Sequence, residues 1–410
     1  MPRRLRPPLL HRLHRRLALI GALASLAALS ASASLVAGPA GIADDDAPPR
    51  PRLEYLGQQI VPAGTPALGT RFGGISGLDY DAASGHYWAI SDDRGRYAPA
   101  RAYRLSLDLQ RFTRSNEAGS DGVAIDRVVT LRRSDGSPFP DGTPDAEAIR
   151  VTPEGRLIWA SEGSRGLFGH DNPMLVEMRS DGRLVRSFRL PEHYLPAPQR
   201  GVRDNRGFES LTLTPSGATV WVATENALLQ DGPAATVSAG SDSRLLSFDR
   251  RSGRAGREYV YRIDPVMAEP LLPGLPAITG LVDILALDDQ RFLMLERSFS
   301  VGPGWKARVY LASTEAATDV SRRPSIAGDA DVRPMAKTLL LELSSVRNAD
   351  GSRLAVDNIE ALTLGPPVDG TPTLILVSDD NFSSFQFTQF IAFKLHGLDE
   401  VIGARPPRGR

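Results

Sequence analysis

The chain has 410 residues, with 48 basic and 48 acidic side chains and no cysteine. The lack of cysteine excludes disulfides, thiolate metal sites, a cysteine nucleophile and a lipid-modified N-terminal cysteine. Residues 1–43 carry six arginines and no acid, so the rest holds 42 basic against 48 acidic residues. That net of −6 argues against a nucleic-acid partner, whose phosphates call for a basic surface.

Arg3, Arg4, Arg6, Arg12, Arg15 and Arg16 precede a 13-residue apolar run, Leu17 to Leu29, and small residues follow it. A basic head, a short apolar middle and a small-residue exit predict a secretory signal peptide over 1–43. The run is shorter than the ~20 residues a membrane span needs. We therefore expect an exported protein, periplasmic or secreted, with no membrane span after signal removal. Residues 44–52 read as a solvated lead-in, 53–397 as one folded domain and 398–410 as a flexible tail.

The domain is dominated by a fivefold repeat. Each unit is a short strand, a polar turn and a second strand that ends on an acid: 75–81 with 89–93, 146–152 with 159–162, 208–214 with 222–226, 282–287 with 294–297, and 359–364 with 377–381. Turns such as Thr152-Pro153-Glu154-Gly155 between alternating strands mark β-hairpins. Two further strands follow each of the first four hairpins, and the repeat recurs every 62 to 77 residues. The pattern predicts an all-β fold, a β-propeller of five four-stranded blades. A sixth stays open if an irregular blade hides in one of the long insertions at 228–243 and 315–336. The fifth unit lacks a fourth strand, and a spare one at 53–61 is predicted to fill that place and close the ring.

Aligned on these hairpins, two acidic columns emerge. Glu147, Glu209, Asp283 and Glu360, with Ser76 in the first unit, stand in the first strands. Asp92, Glu162, Glu225, Glu296 and Asp379 end the second strands. The start of one antiparallel strand lies beside the end of its partner, so both columns face one mouth of the central channel. Nine carboxylates there must be protonated, paired or bound to a cation. All-oxygen, histidine-poor surroundings select a hard ion, above all Ca²⁺. The competing reading has the acids lock neighbouring blades together. Arg94, Arg165, Arg206 and Arg297 follow or precede these acids closely; they either clamp an anionic substrate or pair with the acids. His170 and His193, in loops of the second unit, are further acid–base candidates.

At these repeats the sequence resembles the phytase-like domain family, also described as having esterase-like activity of phytase. The matching residues are Gly73-Gly74-Ile75-Ser76-Gly77-Leu78, Asp145-Ala146-Glu147-Ala148-Ile149, Arg206-Gly207-Phe208-Glu209-Ser210-Leu211 and Asp357-Asn358-Ile359-Glu360-Ala361-Leu362. The resemblance spans residues 53 to 396 and implies work on phosphoesters, as β-propeller phytases hold calcium ions with channel-mouth carboxylates. Those enzymes have six blades, and their ligand pattern does not map onto this chain residue by residue.

The leading expectation is a Ca²⁺-dependent hydrolase of phosphate esters. Glu147, Glu209 and Arg206 are assigned to catalysis, Arg94, Arg165 and Arg297 to binding a small anionic substrate, and both acidic columns to the metal. A hydrolase of another ester, such as a lactone, would use the same mouth with fewer basic contacts. The rival is a non-catalytic propeller that binds a ligand or an envelope partner. We expect a monomer.

Overall fold

The computed structural model describes residues 51–166 and 169–398. The predicted signal peptide, most of the lead-in and all but the first residue of the predicted tail lie outside the described residues. Among the described residues helix is confined to three 3-10 turns, and no helix is long and apolar enough to cross a membrane.

Five four-stranded antiparallel sheets form the blades of a β-propeller. From the channel outward, blade 1 is Ile75–Asp81, His86–Ser91, Arg101–Leu107 and Val123–Thr130. Blade 2 is Ala146–Val151, Leu157–Ser161, Met174–Met178 and Leu184–Ser187. Blade 3 is Phe208–Leu213, Thr219–Thr224, Ser241–Asp249 and Ala255–Ile263. Blade 4 is Ala277–Ala286, Arg291–Ser300, Gly304–Ser313 and Ala336–Glu342. Blade 5 is Asn358–Val368, Thr371–Asp379 and Phe387–His396, completed by the N-terminal strand Arg52–Pro62. The count is five, and the long insertions hold no further blade among the described residues.

Each inner strand packs against the inner strands of both neighbouring blades, which closes the ring. Buried on all sides, these strands are nearly continuous runs of buried residues rather than alternating ones. The core is divided accordingly. Apolar clusters lie between consecutive blades, for example Trp88 and Ile90 with Ile149 and Trp159, or Trp221 and Leu245 with Ile284 and Phe292. Each fully buried Leu or Phe in them contributes about 1.5–3 kcal/mol.

The N-terminal strand pairs along its length with Phe387–His396, so the blade joins the two ends of the folded domain. Its exposed edge is covered: the N–H groups of Gln58 and Ile60 donate to the carbonyls of Thr113 and Gly119. Gly57 is required there, because a Cβ would meet the Phe112 carbonyl carbon at 2.8 Å. The insertion after Ser313 covers the edge strand of blade 3, with Val320 N–H donating to the Glu258 carbonyl and Met335 N–H to that of Val260. It also meets the other long loop: Ser325 donates to the Gln230 carbonyl and Ile326 N–H to Asp231.

Candidate functional site

One irregularity recurs in all five blades. The pairing of inner and second strands slips by one residue between Ile75 and Gly77, Ala146 and Ala148, Phe208 and Ser210, Leu281 and Asp283, and Ile359 and Ala361. The extra residue of each β-bulge is Ser76, Glu147, Glu209, Val282 or Glu360. A bulge re-aims the side chain it carries, and here it lies at the start of the strand, at the channel mouth. The residue just beyond the bulge pairing on the second strand is Asp92, Glu162, Glu225, Arg297 or Asp379.

Blade 4 therefore departs from the repeat read in the sequence. Asp283 and Glu296 each stand one residue out of register with the columns, whose true occupants in this blade are Val282 and Arg297. A one-residue offset turns a strand side chain to the opposite face. Glu296 accordingly points toward blade 3, accepting from Tyr261 Oη and Lys337 Nζ, each at 2.7 Å, and from the N–H of Asp264. Asp283 lies inside the channel, where Arg150 Nη2 donates to both its oxygens at 2.8 Å.

The other seven predicted acids come together at the mouth, and Asp145 joins them. Asp145, Glu147 and Glu162 each offer an oxygen, all within 4.8 Å of one another. Around the ring Glu209 faces Glu225 and Glu360, while Asp379 faces Asp92 and Glu360. Arg297 closes the other side, with Nη2 3.6 Å from Glu225 and 3.4 Å from Glu360. Burial first, then the neighbouring carboxylates, pushes Asp92, Glu147, Glu162, Glu209 and Asp379 well above the usual carboxylate range. For Glu225 burial also raises the carboxyl, against the pull of Arg297 and Arg206.

The donor set suits a hard cation. Ser76 Oγ, Asp145 Oδ1 and Asn358 Oδ1 are buried at this mouth without a hydrogen-bond partner. Each is a neutral or charged oxygen of the kind Ca²⁺ takes, and the trio Asp145, Glu147 and Glu162 is the group close enough to share one ion.

The family model for phytase-like proteins, described as esterase-like activity of phytase, matches residues 70–382, which takes in all five inner hairpins. The chain belongs to the phytase-like family. Membership supports a hydrolase at the level of the family. No curated protein matches. Solved structures similar to the phytase-like chain include the β-propeller domain of Myceliophteria thermophila Cps50 (Swd1), at 12% identity and TM-score 0.33 over 78% of this chain and 82% of that one. The Dos1 propeller is another, at 8% identity and TM-score 0.31 over 77% and 66%. At such scores they carry no weight; the fold assignment rests on the sheet order.

The arginines of this phytase-like mouth divide by partner. Arg94 pairs with Asp145, lies 3.6 Å from Glu162 and donates to Asn205. Arg297 is buried among acids, its guanidinium 5.5 Å from the Trp305 ring centre. Arg165 is turned away, donating to the carbonyls of Ala197, Arg200 and Val202, which makes it a loop brace rather than a mouth residue. Arg206 is half-buried near Glu225, and its guanidinium has no hydrogen bond or ion pair among the described residues.

The remaining candidates lie elsewhere. His193 belongs to a buried cluster with Glu258, Tyr194, Arg244 and Asp231 in the outer half of blade 3. His170 is exposed on the small hairpin Ser164–Gly166 with Gly169–Asp171. A cavity of about 820 Å³ on the flank of blades 2 and 3, lined by Met174, Phe188, Leu190 and Leu195, includes none of the mouth acids. Asp145 was missed because it precedes the strand, in the position held by Gly74, Gly207, Gly280 and Asn358 in the other blades. Its place in the Asp-Ala-Glu-Ala motif was the available signal.

Proposed function

We propose that the protein is an exported, Ca²⁺-dependent hydrolase of small anionic phosphate esters. The observation that carries this is the oxygen trio Asp145, Glu147 and Glu162 at the mouth, with Arg206 close by, next to Gly207 whose N–H donates to Glu162, and its guanidinium without a hydrogen bond or ion pair among the described residues. Bound to the trio, Ca²⁺ would polarise a phosphoryl oxygen and lower the pKa of a water. Arg206 holds the anion by charge-assisted hydrogen bonds. Arg297 keeps Glu225 and Glu360 apart in charge and fixes their positions. Glu209, whose carboxyl stays protonated to higher pH than an exposed one, donates its proton to the leaving oxygen. Export rests on the basic and apolar pattern of residues 1–43.

The test is calcium calorimetry on the mature protein beside Asp145→Asn/Glu147→Gln, with p-nitrophenyl phosphate hydrolysis followed with Ca²⁺ and with chelator. Binding lost in the variant, and turnover that follows the ion, are expected. No calcium binding in the unmodified protein overturns the proposal and leaves a ligand-binding propeller.

A further inference from the structure

The loops that rim the acidic mouth carry exposed apolar side chains among their polar ones. Loops at the mouth end are those that join second to third strands and those that lead into the next blade. Of the eight large hydrophobic side chains exposed among the described residues, six lie in these loops, including Leu68, Tyr97, Leu271, Leu272 and Phe385. Leu68, Leu271, Leu272 and Phe385 are 60–72% exposed. Loop tips are normally polar, and apolar groups gathered at one face mark a binding surface.

At the junction of blades 5 and 1 this rim is built against the carboxylates. The Tyr97 and Phe382 rings lie 4.7 Å apart, centre to centre. A Cβ placed on Gly74 would collide with both the Phe382 ring and Asp92 Oδ1, so the ring stands directly beside a mouth acid. Phe382 is held there in an unfavourable backbone conformation: Asn381 and Phe382 have φ of +47° and +51°, a region that non-glycine side chains rarely adopt. Asp380 Oδ1 accepts the N–H groups of Gly74 and Phe382, each at 3.0 Å, and Arg71 Nη2 donates to the Phe382 carbonyl at 2.9 Å. Three residues further on, Phe385 projects into solvent.

Cations stand among these rings: the Arg71 guanidinium lies 5.0 Å from the Tyr97 ring centre and 5.5 Å from that of Phe382, and the Arg96 guanidinium 4.9 Å from the Tyr97 ring centre. Of the four arginines nearest the acids in sequence, only Arg206 has a guanidinium with no hydrogen bond or ion pair among the described residues. We infer that the ligand of this mouth is a monoester with one charged head and a flat apolar ring, aryl or similar, which lies on the Tyr97–Phe382–Phe385 rim while the head enters among the acids. The inference rests on the ester-site reading of the mouth and names its substrate class. Aromatic side chains supply large contact area at low entropic cost, so the ring accounts for much of the affinity.

The test uses non-hydrolysable probes, so that binding is judged apart from turnover. 1-Naphthylmethylphosphonate and methylphosphonate are titrated into the mature protein with Ca²⁺ present, and into the Tyr97→Ser/Phe385→Ser variant, whose melting temperature serves as the folding control. We expect the naphthyl probe to bind at least about tenfold tighter, and that ratio to fall below about twofold in the variant. A ratio near one, a ratio that survives the substitutions, binding of neither probe, or tighter binding of inositol hexakisphosphate overturns the inference. Naphthyl preference without turnover of any ester instead removes the hydrolase reading and leaves the Tyr97–Phe382–Phe385 rim as a ligand site.

Discussion

Arg150 and Asp283 meet across the channel, from blade 2 to blade 4, with Arg150 Nη2 2.8 Å from both carboxylate oxygens. The same guanidinium donates to the carbonyls of Leu78 in blade 1, Ile284 in blade 4 and Leu362 in blade 5. Asp283 in turn accepts the N–H groups of Ile284 and Leu362. One buried ion pair thus ties four blades together below the mouth. Burial outweighs the arginine and leaves the Asp283 carboxyl pushed up to about 6.

Removing one partner leaves the other charge buried and unpaired. Arg150→Ala is expected to destabilise the fold by about 3–5 kcal/mol. The paired replacement Arg150→Met/Asp283→Leu should recover most of that loss. Chemical denaturation of the three proteins checks it; a single variant as stable as the parent contradicts the role of this ion pair in tying the blades together.

Stability should fall as pH rises when no cation is present. Asp92, Glu147, Glu162, Glu209 and Asp379 have native pKa values raised above their unfolded ones. Groups of that sign bind more protons in the folded state. Their contribution is complete below the unfolded values, roughly pH 4, and is lost as pH climbs through the raised native ones. Metal-free protein is expected to melt lower at about pH 8 than at about pH 5, and Ca²⁺ to raise the melting temperature more at the higher pH. Calorimetric melts with chelator and with Ca²⁺ measure it, and a cation effect equal at both values contradicts it.

The blade 4 offset separates two glutamates that the repeat makes equivalent. Glu162→Gln should weaken calcium binding by at least about tenfold, since it removes a charged ligand from the trio. Glu296→Gln should leave calcium affinity within about twofold while lowering stability, because it breaks contacts with Lys337 and Tyr261. Calorimetry and thermal melts on the pair decide between them; equal losses of affinity would return Glu296 to the mouth.

Two arginines of the same loop region should also part company. Arg206→Ala is expected to raise KM for an anionic ester by about tenfold with little change in melting temperature. Arg165→Ala should lower the melting temperature by freeing the carbonyls of Ala197 and Val202. A KM effect confined to Arg165 would reverse these assignments.

Much of the architecture was legible because propeller blades repeat locally. Strand, turn and acid recur at short range, and the unmatched strand near the N-terminus has one place where its edge is satisfied. The pairing of Leu53 with Leu395 and Gln59 with Phe390 follows from that need. Seven of the nine column acids were also readable, since an acid in a run as apolar as Ile359 to Leu364 has few reasons to be there.

What sequence alone determined was therefore the fivefold fold and the gathering of acids at one mouth. Tertiary structure decided which residues face it. Val282 and Asp283 are adjacent, and only the ladder between blade 4 strands says which one takes the bulge; the alternation of side chains then sends its neighbour to Arg150. Likewise four arginines look alike in the chain, yet the partners of Arg94, Arg165 and Arg297 lie in other strands and loops. Charge pairing depends on separation in space, and that separation exists only once the blades have closed the ring.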